Sequence, residues 1–393
     1  MPKGFHVLEV QQTWDAAEPG GIVSMLKDLI HGLEPTHRVT LLTPRWTCLS
    51  PTAMTDAEGR PYFGLRLPVP PKHSGEIKKL LTWLIFLPLM AWRLARFCRQ
   101  QGVTVAHLHY AHPMYLTFAM ARLFGGPEYM ITTHRGDVVN FPNLGPLQKW
   151  AFRLGLQKAA VVVSVSQWLA RETQAVASLP HPPRVIYNGF TPPAEAPTEA
   201  PLPENLPDAF AVLVGNCRPY KGQDIALRAW QQLAERDPGF DLPLVLVGGG
   251  PDLEAMQALA GELGLDTRVM FTGSVDRQTA LAITARARLY IAPSRSEGQG
   301  IVILEAASAG VPVVCSDIPP FLEMVSANAS GFVFESEDID GLANAVQSAL
   351  AAPETAQAYA DTLKARVETD FSVARMVAEY ERLLADISAA PPR

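Results

Sequence analysis

The chain has 393 residues, of which 48% are hydrophobic and 18% are charged, and its formal net charge is −6. The negative charge argues against a general nucleic-acid-binding protein, because phosphate-rich partners usually bind a basic surface. The length predicts two domains, since a single hydrophobic core rarely serves more than about 250–300 residues. The charged fraction is typical of a folded protein and not of a disordered one.

The cysteines and the N-terminal residues indicate the cellular compartment of the protein. Cys48, Cys98, Cys217 and Cys315 are far apart and show no CxxC spacing, so neither a zinc site nor a disulfide framework is predicted. The N-terminal stretch MPKGFHVLEV enters a strand-like run and lacks the uninterrupted apolar core of a signal peptide. We therefore expect a cytoplasmic protein.

Short apolar runs alternate with segments of helical period along nearly the whole chain. This alternation predicts βαβ units on parallel sheets that are covered by helices on both faces. The predicted strands are FHVLEV, RVTLLT, TVAHLHY, YMITTH, AVVVSVS and RVIYNG, followed by AFAVLVGN, LPLVLVGGG, RVMFTG, RLYIAPS and VPVVCSD. The fold class is thus α/β with two doubly wound domains, and ligand-binding loops are expected directly after strands, at the cleft between the domains.

A proline-rich stretch sets the domain limits. Residues 191–208 have no apolar periodicity and are predicted to form a semi-stiff linker. The linker separates an N-terminal domain, residues 1–190, from a C-terminal domain, residues 209–370. The remaining residues, 371–393, have a helical pattern.

The stretch EPGGIVSMLKDLIHGL, residues 18–33, opens a predicted helix directly after the glycine pair Gly20 and Gly21. Glycines allow a ligand to approach the backbone closely. This pair is therefore predicted to form part of a binding loop.

Residues 78–99, KKLLTWLIFLPLMAWRLARFCR, combine a bulky apolar run with basic ends. The 13 residues from Leu80 to Trp92 include Pro88 and are too few to span a bilayer. Two interpretations stay open with equal weight. The segment is either an ordinary core helix of the N-terminal domain or a peripheral membrane contact that lies in the interface.

Several histidines follow the middle strands of the N-terminal domain. His107, His109 and His112 belong to AHLHYAHP, and His134 is followed by Asp137 in ITTHRGDVV. Scattered histidines are usually structural, but His134 comes directly after a strand and leads toward the cleft. The spacing is not that of a standard metal site, and no metal is expected.

Two basic residues, Arg218 and Lys221, follow the first strand of the C-terminal domain in VLVGNCRPYKGQ. Two cations at this point would neutralise a diphosphate leaving group as it develops charge. The alternative is a pair of solvated surface residues.

A glycine run, Gly248 to Gly250, follows the next strand in LPLVLVGGGPDLEAM. The helix that begins after it offers N–H groups suited to phosphate. A dinucleotide fingerprint would need a glycine at Leu253, so NAD binding is disfavoured. A tight turn without a ligand remains the alternative.

The stretch 296–314, SEGQGIVILEAASAGVPVV, carries two glutamates. Glu297 lies in a loop, Gly298 and Gly300 begin a helix whose free N–H groups favour an anion, and Glu305 is one turn into that apolar helix. A lone buried carboxylate is costly unless it is paired. A nucleotide sugar would satisfy the whole stretch, with its diphosphate on the amides and its ribose hydroxyls on Glu305.

Two alternatives remain for these glutamates. Glu297 and Glu305 could be a glycosidase pair, but eight residues along a helix span about 12 Å, beyond the roughly 5–9.5 Å that such pairs need. Glu305 could also form a structural salt bridge with a basic neighbour.

These residues resemble the GT-B-type retaining glycosyltransferases, a family that includes many lipopolysaccharide- and capsule-assembling enzymes. The motifs that carry the resemblance are the Gly20–Gly21 loop, VIYNGF, VGNCRPYKG, LVGGGP, FTGSV and PSRSEGQGIVILEAASAGVPVV, the last of which looks like the E-x7-E signature. The resemblance implies two Rossmann-like domains that face each other across a cleft, with the final helix, 371–393, returning to the N-terminal domain.

The resemblance also implies an activity. A hexose would move from a nucleotide donor to a saccharide or lipid-linked acceptor with retained configuration, without a cofactor or an essential metal. A UDP sugar is favoured as donor, because uridine diphosphate is the commonest donor nucleotide in the family. Nucleic acid is not an expected partner.

The residue roles are likewise implied by the resemblance. The catalytic set is Glu297 at the donor-sugar hydroxyls, Lys221 and Arg218 at the leaving group, and His134 near the reacting sugar. The donor-binding set is Glu305 at the ribose, Gly298, Gln299, Gly300 and Gly21 by the diphosphate, Gly273 by the base, and Ile301, Gly248 and Gly249. His109 and Asp137 are placed on the acceptor side.

Two other functions stay open. A nucleotide-sugar 2-epimerase of the same fold would need carboxylates in the N-terminal half, which offers mainly Glu18 and Asp137. A non-catalytic nucleotide-binding module of a membrane assembly is the other.

Overall fold

The computed structural model describes residues 4–12, 14, 21–73, 75–191, 202–325 and 332–389. The chain divides into two compact units, an N-terminal unit of Met1–Gly189 with Val373–Arg393, and a C-terminal unit of Phe190–Ser372. Most of the predicted linker, residues 192–201, lies outside the described residues, as do Glu18 and Gly20.

The N-terminal unit is built on an eight-stranded sheet. Its strands are β1 (His6–Val10), β2 (Arg38–Pro44), β3 (Thr52–Thr55), β4 (Pro61–Leu65), β5 (Val105–His109), β6 (Glu128–Thr133), β7 (Val161–Ser164) and β8 (Arg184–Val185). The order across the sheet is β3-β4-β2-β1-β5-β6-β7-β8. Every pair is parallel except β3 with β4.

Helices connect these strands. They are α1 (Gly21–Leu33), α2 (Ile77–Gln101), α3 (Leu116–Arg122), α4 (Gly136–Val139), α5 (Pro146–Gln157) and α6 (Gln167–Ala177). The central strands are buried along their whole length, as for β1 and β5. This burial explains why they read as apolar runs and not as alternating patterns.

The antiparallel pair β3 and β4 was not predicted. Thr52–Thr55 reads TAMT and is largely exposed, so it lacks the apolar run by which the other strands were found. Asp56 closes the turn between the two strands, accepting from the backbone N–H groups of Glu58 and Arg60 at 3.0 and 2.8 Å.

The C-terminal unit is built on a second, fully parallel sheet. Its strands are β9 (Ala211–Val214), β10 (Leu244–Val247), β11 (Val269–Gly273), β12 (Leu289–Ala292), β13 (Val313–Ser316) and β14 (Val333–Phe334). Its helices are α7 (Gln223–Arg236), α8 (Leu253–Glu262), α9 (Arg277–Arg286), α10 (Ile301–Ser308), α11 (Pro319–Met324), α12 (Ile339–Ala351) and α13 (Pro353–Asp370).

The strand order of the second sheet, β11-β10-β9-β12-β13-β14, is that of a Rossmann fold. The direction of winding reverses between β9 and β12. Ligands of such sheets bind beyond the carboxyl ends of the strands at this switch point. The predicted fold class, two doubly wound parallel-sheet domains, is confirmed.

The last helix, α14 (Val373–Ala389), belongs to the N-terminal unit. Its buried stripe of Met376, Tyr380, Leu383, Leu384 and Ile387 joins the same core as the inner face of α1. The predicted return of the C-terminal helix to the N-terminal domain is therefore observed.

Helix α2 is longer than the predicted apolar run. Among the described residues it is the one helix that has the length and composition to cross a membrane. One face, which includes Trp83, Leu87, Met90 and Leu94, is buried in the unit. The core-helix interpretation is therefore correct for this face of α2.

Candidate functional site

Two loops meet at the switch point of the C-terminal unit. The loop after β9 ends in a 3₁₀ turn, Pro219–Lys221, and the loop after β12 covers residues 293–300. Since β9 and β12 are parallel neighbours, their carboxyl ends lie side by side, and the two loops bring Lys221 and Glu297 together.

Lys221 and Glu297 form a close ion pair. The Nζ atom of Lys221 donates to Oε1 of Glu297 at 2.7 Å, and the hydroxyl of Ser294 donates to the same oxygen at 3.0 Å. The two side chains are 15% and 11% exposed. These two bonds hold the ammonium group of Lys221 and the carboxylate of Glu297 in one arrangement, and the predicted catalytic roles of both residues stay predictions.

Glu305 lies one turn into α10, whose other side chains are mostly buried. Its carboxylate is 17% exposed and accepts a hydrogen bond from Nη2 of Arg277 at 3.3 Å. Burial raises the pKa of Glu305, while the charges of Arg277 and Lys221 oppose that rise. The alternative interpretation of Glu305, a salt bridge with a basic neighbour, is therefore present in this structure.

The salt bridge with Arg277 is too weak to keep a ligand from the Glu305 carboxylate. The Arg277 side chain is 44% exposed, and exposed ion pairs contribute only about 0–1 kcal/mol. A ligand hydroxyl can compete for a carboxylate held this weakly. The predicted role of Glu305 at the ribose stays a prediction.

Two glycines of the predicted site are required by packing within the protein. Gly300 has φ 101, and a Cβ there would lie 2.5 Å from the Phe321 ring. Gly248 has φ 133, and a Cβ there would lie 2.4 Å from the backbone oxygen of Gly215. These positions need glycine whether or not a ligand approaches, so their role in donor binding stays a prediction.

The structure places the other predicted donor residues as follows. Arg218 is exposed and precedes the 3₁₀ turn, Gly249 follows β10, and Gly273 ends β11. Gly298 and the buried Gln299 precede α10, Ile301 begins that helix, and Gly21 begins α1 in the N-terminal unit.

A second polar cluster is buried in the N-terminal unit. The carboxylate of Glu9 on β1 contacts Nδ1 of His107 at 3.1 Å and Nε2 of His109 at 2.9 Å. The Nδ1 atom of His109 in turn lies 3.3 Å from Nε2 of His134. Glu9, His107 and His109 have no exposed surface, and the predicted acceptor-side role of His109 stays a prediction.

Burial and neighbouring groups set the charges of this cluster. Burial raises the pKa of Glu9, but the interactions with His107 and His109 outweigh it and lower that pKa to about 2. Burial, with repulsion from His107, lowers the pKa of His109 to about 4. Burial likewise lowers the pKa of His134 well below its usual value. At neutral pH the cluster therefore holds a carboxylate beside neutral His109 and His134.

Asp137 shapes the turn after β6. Its two oxygens accept from the backbone N–H groups of Ala111, His134, Arg135 and Val138. These bonds hold Arg135 at φ 137, a strained value for a residue with a side chain. The carboxylate is fully engaged in this way, and its predicted acceptor-side role stays a prediction.

Potential metal ligands occur together once among the described residues. The ligand atoms of Glu9, His107 and His109 lie within 4.8 Å of one another. The same atoms are already hydrogen-bonded to each other.

Sequence reasoning missed Arg277, Ser294 and Glu9. Arg277 begins α9, far along the chain from Glu305, and no local pattern marks it. Glu9 offered a signal, because it is the one charged residue inside the apolar run FHVLEV, and a buried charge calls for a partner.

Comparisons with known proteins agree with this layout. A family model described as "Glycosyl transferases group 1" matches residues 197–366. A second, described as "Glycosyltransferase Family 4", matches residues 19–192.

Individual relatives extend over most of the chain. A GDP-mannose-dependent alpha-(1-6)-phosphatidylinositol monomannoside mannosyltransferase of Mycolicibacterium smegmatis is 31% identical over 86% of this chain and 88% of its own. An N-acetyl-alpha-D-glucosaminyl L-malate synthase of Bacillus anthracis is 23% identical over 76% and 78%. The structure of a sucrose-phosphate synthase from Thermosynechococcus elongatus superposes with a TM-score of 0.76, at 22% identity, over 98% of this chain and 100% of its own.

Proposed function

The chain belongs to the GT-B glycosyltransferases of group 1 and family 4, and from this premise we propose the details of the sugar transfer that it catalyses. A hexose moves from a nucleotide-diphosphate donor to a saccharide or lipid-linked acceptor of cell-envelope glycan synthesis, such as a lipopolysaccharide. The anomeric configuration is retained, and no resident metal takes part. The donor binds to the C-terminal unit and the acceptor to the N-terminal unit.

The observation that carries this proposal is the Lys221–Glu297 pair at the switch point, with Glu305 on the adjoining helix. Lys221, assisted by Arg218, neutralises the diphosphate as the sugar–phosphate bond breaks. Glu305 accepts from the ribose hydroxyls, and Glu297 accepts from hydroxyls of the donor sugar. The leaving phosphate takes the proton of the acceptor hydroxyl on the same face of the sugar, which retains the configuration.

The donor nucleotide has two candidates. The family resemblance favours a UDP sugar. The mycobacterial relative that is 31% identical is GDP-mannose-dependent, and this makes GDP-mannose the first donor to test.

The proposed transfer is tested by incubating the purified protein with radiolabelled GDP-mannose or UDP-hexoses and candidate glycolipid acceptors. We expect a labelled glycolipid whose new linkage has the anomeric configuration of the donor by NMR, and equal activity after removal of divalent ions with EDTA. An inverted linkage, or activity that EDTA abolishes, would contradict the corresponding part of the proposal. Interconversion of the free nucleotide sugars would instead identify an epimerase, and binding without turnover a non-catalytic module.

A peripheral membrane contact through α2 is part of the proposal, since the outer face of this helix is apolar. Its exposed large apolar side chains are Ile77, Leu81, Leu84, Ile85, Leu89 and Trp92. These residues recur every three to four positions, with Leu84 and Ile85 adjacent, and form a single stripe. Lys78 and Lys79 flank the stripe at one end and Arg93 and Arg96 at the other, as is typical of helices that lie on anionic membranes.

A groove beside this stripe suits the apolar part of a lipid-linked acceptor. It has a volume of about 860 Å³ and is lined mainly by leucines and tryptophans of α2, α3 and α5. Arg122 and Lys158 are the basic residues in its lining. We therefore place the reaction at the cytoplasmic face of the plasma membrane.

Membrane binding is tested by flotation with anionic liposomes. The double variant Leu81→Glu, Ile85→Glu places two acidic side chains on the stripe, and we expect it to lose flotation while the wild type floats. Leu322→Glu is the matched control, because Leu322 is also exposed but lies in the C-terminal unit. Flotation of the double variant at the wild-type level, or failure of the wild type to float, would refute the membrane contact.

A further inference from the structure

The buried cluster of the N-terminal unit is one continuous hydrogen-bonded chain. It runs from α14 to the end of β6. Its contacts are Tyr380 OH to Thr132 Oγ1 at 3.2 Å, Thr132 Oγ1 to His107 Nε2 at 2.8 Å, His107 Nδ1 to Glu9 at 3.1 Å, Glu9 to His109 Nε2 at 2.9 Å, and His109 Nδ1 to His134 Nε2 at 3.3 Å. Only His134, at the end of this chain, retains exposed surface.

The charge of Glu9 fixes the direction of the first bond toward His134. An ionised carboxylate has no proton and can only accept. Glu9 contacts two imidazoles, and a glutamate is ionised at neutral pH because its ordinary pKa of about 4.3 lies well below 7. The proton in the contact with His109 is therefore on Nε2 of the imidazole.

The next bond follows from the first. His109 has no exposed surface, and burial favours the neutral imidazole, so its single ring proton is the one on Nε2. Its Nδ1 atom can then only accept. The proton between the two rings must therefore belong to Nε2 of His134.

One consequence concerns the other nitrogen of His134. A neutral imidazole that carries its proton on Nε2 has a free lone pair on Nδ1. Within the described part of the chain, no hydrogen bond joins a side chain or backbone group to this Nδ1 atom. The backbone of His134 is fixed separately, since its N–H donates to the carboxylate of Asp137 at 3.2 Å.

We propose that Glu9 and His109 are positioning residues that hold His134 in the Nε2–H tautomer, so that its Nδ1 atom accepts a hydrogen bond from a substrate hydroxyl. This inference rests on the proposed glycosyltransferase reaction and adds to it two residues that do not touch the substrate. The opposite tautomer would present an N–H to the hydroxyl, which could no longer donate.

The test combines NMR with kinetics. In protein labelled with ¹⁵N-histidine, long-range ¹H–¹⁵N correlations identify which ring nitrogen of His134 carries the proton. We expect the Nε2–H tautomer in the wild type and its partial or full loss in Glu9→Gln, because the amide group can donate to His109 and reverse the chain. The value of kcat should fall by at least about tenfold in Glu9→Gln and in His109→Phe, as expected when a histidine is held in the wrong tautomer.

Controls separate this effect from loss of structure. Tyr380→Phe removes a hydroxyl from the opposite end of the same buried chain, and we expect it to leave the tautomer of His134 and kcat within twofold of the wild type. Affinity for the nucleoside diphosphate should be unchanged in all three variants, because none of the three substituted residues is among those that we assign to it.

Three results would overturn the inference. They are an Nδ1–H tautomer in the wild type, an unchanged tautomer and kcat in Glu9→Gln, and one equivalent of a divalent metal retained at Glu9, His107 and His109. The first measurement needs no variant, so it stands even where Glu9→Gln fails to fold. It also needs no turnover, so an absence of sugar transfer with the expected tautomer would count against the proposed function and not against the tautomer assignment.

Discussion

Replacing Lys221 by alanine is expected to lower sugar transfer by about 10²–10³-fold, the usual loss when one preorganised charge-stabilising group is removed. Lys221 is the cation that the fold holds in place, through its 2.7 Å bond to Glu297, whereas Arg218 is exposed. The effect should appear in kcat, because the charge on the leaving diphosphate develops in the transition state. Initial rates at saturating donor measure it.

A second variant separates catalysis from stability. Lys221→Ala leaves the Glu297 carboxylate bonded to the hydroxyl of Ser294 but without a cation, and an uncompensated, mostly buried charge is destabilising. The double variant Lys221→Ala, Glu297→Gln removes that charge, and its Tm should recover toward the wild type while transfer stays lost. Full activity of Lys221→Ala would refute the assignment of this residue.

Replacing Glu305 by alanine is expected to reduce kcat/KM for the donor by at least about tenfold. A hydrogen bond to a charged group contributes about 1.5–3 kcal/mol, and each 1.4 kcal/mol is a factor of ten in affinity. The loss should also be seen in the Kd of the free nucleoside diphosphate by calorimetry, since the ribose is present in both ligands.

Arg277→Ala distinguishes this role from a structural one. A pair with one partner 17% and the other 44% exposed contributes little to stability, so both variants should unfold within about 1 kcal/mol of the wild type. We expect Arg277→Ala to bind the nucleotide at least as tightly as the wild type, because it frees the carboxylate. If Glu305→Ala and Arg277→Ala were equally destabilised by several kcal/mol and bound the nucleotide as the wild type does, Glu305 would have a structural role in the salt bridge and no role in nucleotide binding.

Much of the fold could be predicted from the sequence because parallel strands buried on both faces are apolar throughout. All eleven strands predicted from such runs are present. The strands that were missed are β3, which is polar and exposed, its partner β4, and the two-residue β14. None of these three shows a long apolar run.

The site could be predicted only in part. Lys221 and Glu297 were selected because each lies in a loop that follows a predicted strand. In the structure the two side chains are in contact. Their pairing depends on β9 and β12 being neighbours, which a pattern along the chain does not specify. The contacts of Glu305 with Arg277 and of Glu9 with His107 could not be predicted either. Each contact joins residues from separate elements, whose placement is not specified by a pattern along the chain.

The most direct test of the nucleotide site is a crystal structure of the protein with a bound nucleoside diphosphate sugar, in which the distances from the ribose oxygens to the Glu305 carboxylate are measured. We predict at least one distance of about 2.6–3.2 Å, the range of a hydrogen bond, with the diphosphate beside Lys221. A ribose bound elsewhere while Glu305 stays bonded to Arg277 would contradict the assignment.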